Sequence, residues 1–142
     1  VTFLERAASI LVGSTSAARL PEVVRGVAVR ALPGDRALVY LPVAHAERTL
    51  ANIAATAQLA VTAAGVPTYN TIQLKGTVTN VRDATDDERA LAETYRAGFA
   101  AEYAWAGDIA RRRVVTVWPC KVLELHIDMI FIEAPAPLEF PA

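Results

Sequence analysis

Two stretches with a strict two-residue alternation constrain what this chain can fold into. In "TIQLKGTVTNVR", residues 71–82, Ile72, Leu74 and Val78 fall on one face and Gln73, Lys75 and Thr77 on the other. From 122 to 129, Leu123, Leu125, Ile127 and Met129 alternate with Glu124, His126 and Asp128. Successive side chains of a strand point to opposite faces, so each run predicts a strand with one buried face, the habit of antiparallel sheets. Gly76 interrupts the apolar face of the first run and predicts a bulge or the close approach of another backbone.

Other strands follow from composition and turn signals. Residues 8–15, "ASILVGST", read as a first strand, and "SAARLPE" as the turn that ends it. "VVRGVAVRAL" is rich in β-branched residues, and "PGDR" marks a reversal before "ALVYLP", so 23–41 predicts a hairpin. Residues 58–64 predict a further strand. The set fits a mainly β chain with flanking helices, an antiparallel sheet closed or nearly closed into a barrel.

Two helices interrupt the strands. In "AHAERTLANIAATAQLAVTAA", residues 44–64, Leu50, Ile53, Ala54 and Ala57 recur at helical spacing and form one apolar stripe. At "TDDE", Thr85 and Glu88 have capping-box spacing, and the acidic residues suit the positive end of a helix dipole. Ala92, Tyr95, Phe99 and Tyr103 then line one face as far as Gly107.

The 142 residues suffice for one domain, spanning 1–142, and a 54% hydrophobic content suits a compact core. A formal charge of −1 supplies no basic field for nucleic acid, and "RRR" at 111–113 reads as a solvated edge. Cys120 has no second cysteine to pair with, which leads to the expectation of a reducing, cytoplasmic setting. No apolar run reaches the roughly 18 to 20 residues that span a bilayer, so no membrane partner is expected. The opening "VTFLERAASILVGS" does not fit a signal peptide, and the missing initiator methionine suggests trimming.

The usual catalytic signatures are missing. His45 and His126 are the only histidines, and neither has a second ligand at a metal-binding spacing. Cys120 and His126 stand six apart on an expected strand, but two residues do not make a zinc site. Cys120, after Pro119, reads as a small buried residue. No "GxSxG", Walker or "GxGxxG" pattern occurs, so no catalytic side chain or metal site is assigned. What remains is polar and positional. Arg25 and Arg30 flank "GVAV", and Arg48 and Thr49 sit in the first turn or so of the first helix. There, unpaired amides and the dipole favour an anion, and a guanidinium adds a bidentate phosphate clamp. "PVAHAE" offers no Ser, Thr, Asp or Asn cap to fill that role.

The order "VVRGVAVRAL", turn, "ALVYLP", "ERTLANIAATAQLAVTA", "TIQLKGTV" and the closing "VWPCKVLELHIDMIFIEAPAP" resembles the pyridoxamine 5'-phosphate oxidase-like family of FMN-binding split barrels. The resemblance runs from about Ser9 to Pro137 and follows the layout of elements more than an invariant signature. It implies a homodimer with FMN at the interface and a flavin-dependent oxidoreductase activity on an unassigned small molecule. It sets the strand with Arg25, Val27, Val29 and Arg30 beside the flavin. Leu41 and Pro42 would lie near the ring or ribityl chain, and Arg48 and Thr49 at the phosphate, where Thr49 replaces a second basic residue. A family glutamine falls at Thr71, with Gln73 as its substitute in another register. The ending "APAPLEFPA" lacks the tryptophan and arginine with which the true oxidase engages pyridoxamine phosphate. The implied relative is therefore not that oxidase. Two other readings stay open: a haem- or deazaflavin-binding relative, and a flavin-free dimeric barrel serving as a binding or stress-response module.

Overall fold

The computed structural model describes residues 3–6, 9–65, 68–102 and 117–134. Seven strands among them form one antiparallel sheet: β1 (Ser9–Thr15), β2 (Pro21–Arg25), β3 (Ala28–Leu32), β4 (Arg36–Pro42), β5 (Gln58–Ala64), β6 (Thr71–Asp83) and β7 (Cys120–Glu133). Their order is β2-β1-β5-β6-β7-β4-β3, which leaves β2 and β3 at the two ends. Three helices flank the sheet: α1 (Phe3–Arg6), α2 (Glu47–Thr56) and α3 (Arg89–Glu102). The sequence pattern gave no sign of the four-residue α1. Inward side chains such as Ile10, Val12, Val39, Val61, Leu74, Leu123 and Leu125 are fully buried and form the core.

The sheet corrects the expected hairpin of 23–41. "VVRGVAVRAL" is two strands with different partners: β2 pairs with β1, while β3 pairs with β4. The break falls at buried Gly26, where an added Cβ would stand 2.8 Å from Ile10 Cγ2 and 3.1 Å from Val12 Cγ2. The Gly26 amide donates to the Ile10 carbonyl and the Val27 amide to the Tyr40 carbonyl, both at 3.0 Å. One run of β-branched residues thus serves both ends of the sheet and ties them at a point. The β3–β4 hairpin itself is as expected, with Gly34 and Asp35 of its turn both at positive φ.

In β6 the buried residues are Leu74, Gly76 and Val78. The pairing with β7 shifts register between Lys75 and Gly76, and a Cβ on Gly76 would collide with the His126 carbonyl. The two explanations offered for this glycine therefore coincide: a bulge brings the neighbouring backbone into contact. β7 runs on past 129 to Glu133, and its last turns of chain leave Met129, Ile130, Phe131 and Ile132 exposed.

The α2 stripe also needs correction. Thr49, Asn52 and Ile53 are the buried residues of this helix, Leu50 is half-buried, Ala54 is exposed, and Ala57 is the left-handed residue that ends it. A polar contact turns the helix: Asn52 Nδ2 donates to Ser14 Oγ of β1 at 3.0 Å in a buried site. A buried amide left unpaired would cost more than an exposed alanine gains by burial, so the hydrogen bond outweighs the apolar stripe.

Before α3 the expected capping box is present, with Glu88 accepting from the Thr85 amide at 2.9 Å. Ala92 and Tyr95 are buried and Phe99 is half-buried, as the stripe predicts; Tyr103 and Gly107 lie outside the described residues, as do Trp105 and Arg111–Arg113. Glu88 does more than cap. It takes two hydrogen bonds of 2.8 Å from Arg82 on β6 and one of 2.9 Å from the hydroxyl of buried Tyr40 on β4. The paired Arg82 guanidinium, helped by the Thr85 amide and Tyr40, pulls the Glu88 carboxyl down to about 2 against its own partial burial. Burial first, and the neighbouring carboxylate second, push the Tyr40 phenol up to about 12, so it stays a donor.

Two predictions follow from these contacts. Gly76→Ala should cost more than about 2 kcal/mol in denaturant unfolding, because backbone rather than a movable side chain occupies the space. Unchanged stability would mean that the bulge is absent. The Glu88 carboxyl is depressed in the folded state, so its contribution is present above an ordinary carboxyl pKa and is lost as pH falls from about 4.5 towards 2. Glu88→Gln should remove about 2 kcal/mol at neutral pH and flatten the stability profile across that window. Parallel acid profiles for the two proteins would refute the assignment.

Candidate functional site

β3 has an unpaired edge among the described residues, and a cavity of about 730 Å³ lies along it. Val27 and, from β3, Ala28, Val29 and Arg30 supply one side, and Ile10 of the core its floor. Leu91, Thr94, Tyr95 and Gly98 of α3 face them, and Leu4 and Glu5 of α1 contribute from the chain start. The lining is apolar around a few polar groups, and the volume lies in the range of small-molecule sites. Arg30 with Glu5, Asp87 and Glu88 supplies the charge at this site. Arg30 also lies near enough to the Tyr40 hydroxyl to offset part of its upward shift. The Tyr40–Glu88–Arg82 network thus fixes one wall of the cavity.

The geometry follows from the local sequence. Because the chain changes neighbours at Gly26, between β2 and β3, the backbone of 28–32 pairs with β4 on one side and has no partner strand on the other among the described residues. Unpaired strand amides and carbonyls are strong hydrogen-bonding groups. A planar heterocycle carrying its own amide-like donors and acceptors can satisfy them.

A smaller pocket of about 370 Å³ precedes this cavity along the chain, lined by Val23, Val24, Arg25 and His45. His45 ends a 3-10 turn, Val43–His45, that leads into α2 through Ala46, and Ala46 gives no side-chain cap. The Arg25 guanidinium lies over the Phe99 ring of α3, 5.0 Å from its centroid. Its Nη1 is buried with no hydrogen-bond partner among the described residues. A buried guanidinium N–H without an acceptor is costly and marks a place where an anion would be stabilised.

The remaining expected site residues fall elsewhere. Arg48 is on the surface and forms an ion pair with Glu22 of β2 at 3.0 Å. Thr49, in the same turn, is fully buried, and its hydroxyl has no partner among the described residues. Leu41 is a core residue, and Pro42, also buried, closes β4 opposite Cys120. Thr71 and Gln73 share the outer face of β6; Gln73 donates to Thr62 at 3.0 Å and Thr71 to the Tyr69 carbonyl at 3.0 Å. Neither lines the cavity. The structure therefore gathers Val27, Val29 and Arg30, sets Arg25 in the adjoining pocket, and separates Thr71 and Gln73 from both.

Sequence reasoning missed Tyr95 and Leu91, whose helical spacing marked them or their neighbours only as core, and Glu88, which read only as a cap. Their one available signal was the aromatic character of the stripe that Tyr95 belongs to. Cys120 is buried as expected; its thiol donates to the Val117 carbonyl at 2.9 Å, and burial pushes it up to about 11. His126 is exposed beside Asp128, so it does not meet Cys120. No cluster of potential metal ligands occurs among the described residues. No helix among them is long and apolar enough to cross a membrane.

No family model matches the sequence, and no curated protein is similar to it in sequence. Solved structures do match in fold. HupZ of group A Streptococcus is 15% identical, with 94% of this chain and 93% of that one covered and a TM-score of 0.58. An F420 reductase is 12% identical, with 91% and 93% covered and a TM-score of 0.55. An FMN-binding protein from Syntrophomonas wolfei subsp. wolfei is 12% identical, with 94% and 88% covered and a TM-score of 0.53. The chain has the split-barrel fold of the pyridoxamine 5'-phosphate oxidase-like, FMN-binding proteins.

Proposed function

We propose that this chain is an FMN-binding flavoprotein and acts as a flavin-dependent oxidoreductase. The observation that carries the reading is the cavity along the free edge of β3. It is lined by Val27, Val29 and Arg30, three of the residues that the resemblance sets beside the flavin. The fit also holds at the anionic end. Arg25, whose Nη1 is buried and unpartnered among the described residues, lines the adjoining pocket with Val23, Val24 and His45, and a cation there suits a phosphate. An FMN-binding protein and an F420 reductase among the structures of like fold support a flavin or deazaflavin as the ligand.

FMN, when bound, supplies the hydride or electron transfer. The residues of the chain bind and orient. The β3 edge offers backbone donors and acceptors, and the apolar walls from Ile10 and α3 exclude water. The structure presents no reactive thiol there, because Cys120 is buried in the core and protonated.

The same reading includes a homodimer. Leu11, Val23, Met129 and Phe131 are exposed apolar residues, and Thr71 and Gln73 face away from this chain's own cavity. A second copy packed on the sheet would cover apolar surface and bring Thr71 and Gln73 of the partner subunit towards the flavin.

Purified protein should show a flavin absorption spectrum or take up one FMN per subunit on titration. Arg25→Met should weaken FMN about 10- to 100-fold, the worth of a hydrogen bond to a charged group, with riboflavin affected less. Failure of folded protein to take up flavin would overturn the reading. Sedimentation equilibrium should give a dimer, and Phe131→Glu should shift it to monomer; a monomeric wild type would refute the shared site.

A further inference from the structure

We infer that His45 is the second donor of the pocket that Arg25 lines, and that it makes this pocket's hold on a phosphate depend on pH. The inference rests on the flavin reading above. The pocket, of about 370 Å³, is lined by Val23, Val24, Arg25 and His45. Its two polar side chains are a guanidinium and an imidazole, both donors, and no carboxylate of the described residues lines it. The larger cavity along β3 differs, because Glu5, Asp87 and Glu88 stand there with Arg30. Of the two, the smaller pocket has the lining whose charge favours an anion.

Two separate elements bring the donors together. Arg25 is the last residue of β2, an end strand of the sheet, and His45 is the last residue of the turn Val43–His45. That turn is anchored on both sides of His45: the Val43 amide donates to the Pro119 carbonyl at 2.9 Å, and the Ala46 amide to the Val43 carbonyl at 3.2 Å. The His45 side chain is exposed and makes no hydrogen bond or ion pair among the described residues. Arg25 has its guanidinium 5.0 Å from the Phe99 ring centroid and its Nη1 buried without a partner. An imidazole that no internal group claims and a guanidinium with an unsatisfied N–H are groups that one phosphate can bridge. The other charged residues near this turn are otherwise engaged or lie off the pocket. Glu22 of β2 and Arg48 of α2 pair at 3.0 Å, and Lys121 of β7 pairs with Asp83 at 2.6 Å. Glu47 of α2 does not line the pocket.

The pH dependence follows from linkage. An imidazole gains its charge as pH falls through the range from about 8 to about 5, whereas a guanidinium is charged throughout. With the pocket empty, a proton on His45 is opposed by Arg25. A bound phosphate, with a charge of about −1.5 to −2 near neutral pH, offsets that repulsion, so phosphate and proton favour each other's binding. The phosphate therefore binds more tightly as the imidazole charges on lowering pH, and less tightly as it loses that charge on raising pH. Below about pH 6 the phosphate takes up its own second proton, which works in the opposite direction. A flavin without a phosphate is indifferent to both steps.

The test is a parallel titration of FMN and riboflavin into the full chain at about pH 8.5 and about pH 6.5, followed by flavin fluorescence, for wild type and His45→Gln. Wild type should bind FMN about two- to fivefold more tightly at the lower pH, the range for an exposed ion pair, with riboflavin unchanged. His45→Gln should still bind FMN but lose this pH dependence. If the variant keeps the wild-type dependence, the inference about His45 is overturned and the flavin reading stands. An equal dependence for riboflavin would also overturn it, since the effect would not pass through the phosphate. If folded protein binds neither flavin, the flavin reading falls, and inorganic phosphate decides the rest. Titrated at about pH 6.5 while the ring signals of both histidines are followed by NMR, it should shift His45 and leave His126 in place; an unmoved His45 would overturn the anion site as well.

Discussion

The change of partners at Gly26 is the constraint on which the rest of the structure depends. A side chain there would press on Ile10 and Val12, so only glycine lets the backbone pass from β1 to β4 within one residue. Two hydrogen bonds of 3.0 Å hold the crossing, one to each neighbouring strand. If the run 21–32 stayed on one partner, Arg25 and Arg30 would belong to one continuous strand. The crossing separates them. Arg25 faces the entry of α2 and the Phe99 ring, while Arg30 faces the cavity and the Tyr40–Glu88 pair. A single steric fact thus sets Arg25 and Arg30 in two separate pockets.

The second determinant is the seating of the two longer helices by polar contacts. Asn52–Ser14 anchors α2, and Glu88 anchors α3 through Tyr40, Arg82 and its own cap. Each contact is directional, and the apolar packing around it is not. Buried polar groups tolerate few alternative arrangements, so these contacts select one rotation of each helix over its neighbours. That rotation decides which α3 residues face the cavity and places Arg48 opposite Glu22.

The parts of the fold that were legible in sequence are those set by local physics. Period-two alternation fixed β6 and β7, the capping box fixed the start of α3, and Gly76 marked its own bulge. What stayed hidden depends on residues distant in sequence. Nothing in "VVRGVAVRAL" shows that Ile10 crowds Gly26. Nothing in "ERTLANIAAT" shows that Ser14 waits for Asn52, so the apolar stripe misassigned the buried face. The site divides in the same way. Val27, Val29 and Arg30 lie within four residues of one another, at and just before β3, and a resemblance of strand order was enough to place them together. The cavity's other wall comes from α1 and α3, roughly twenty and sixty residues away along the chain, and no spacing rule links them.

The electrostatics at the start of α2 show why residue type alone misleads. Read locally, an arginine in the first turn of an uncapped helix is an anion clamp. In the folded chain its charge already has a partner on β2, while the arginine whose Nη1 lacks one is Arg25, which the same local rule passes over because it sits on a strand. A cation's availability is a property of the whole arrangement: what it faces, how far it is desolvated and what must be displaced to reach it. Arg48 is exposed and cheaply released. Arg25 is stacked on a ring and has a buried donor to satisfy. The arginine with an unsatisfied buried donor is therefore the one on the strand, and the one on the helix is already paired.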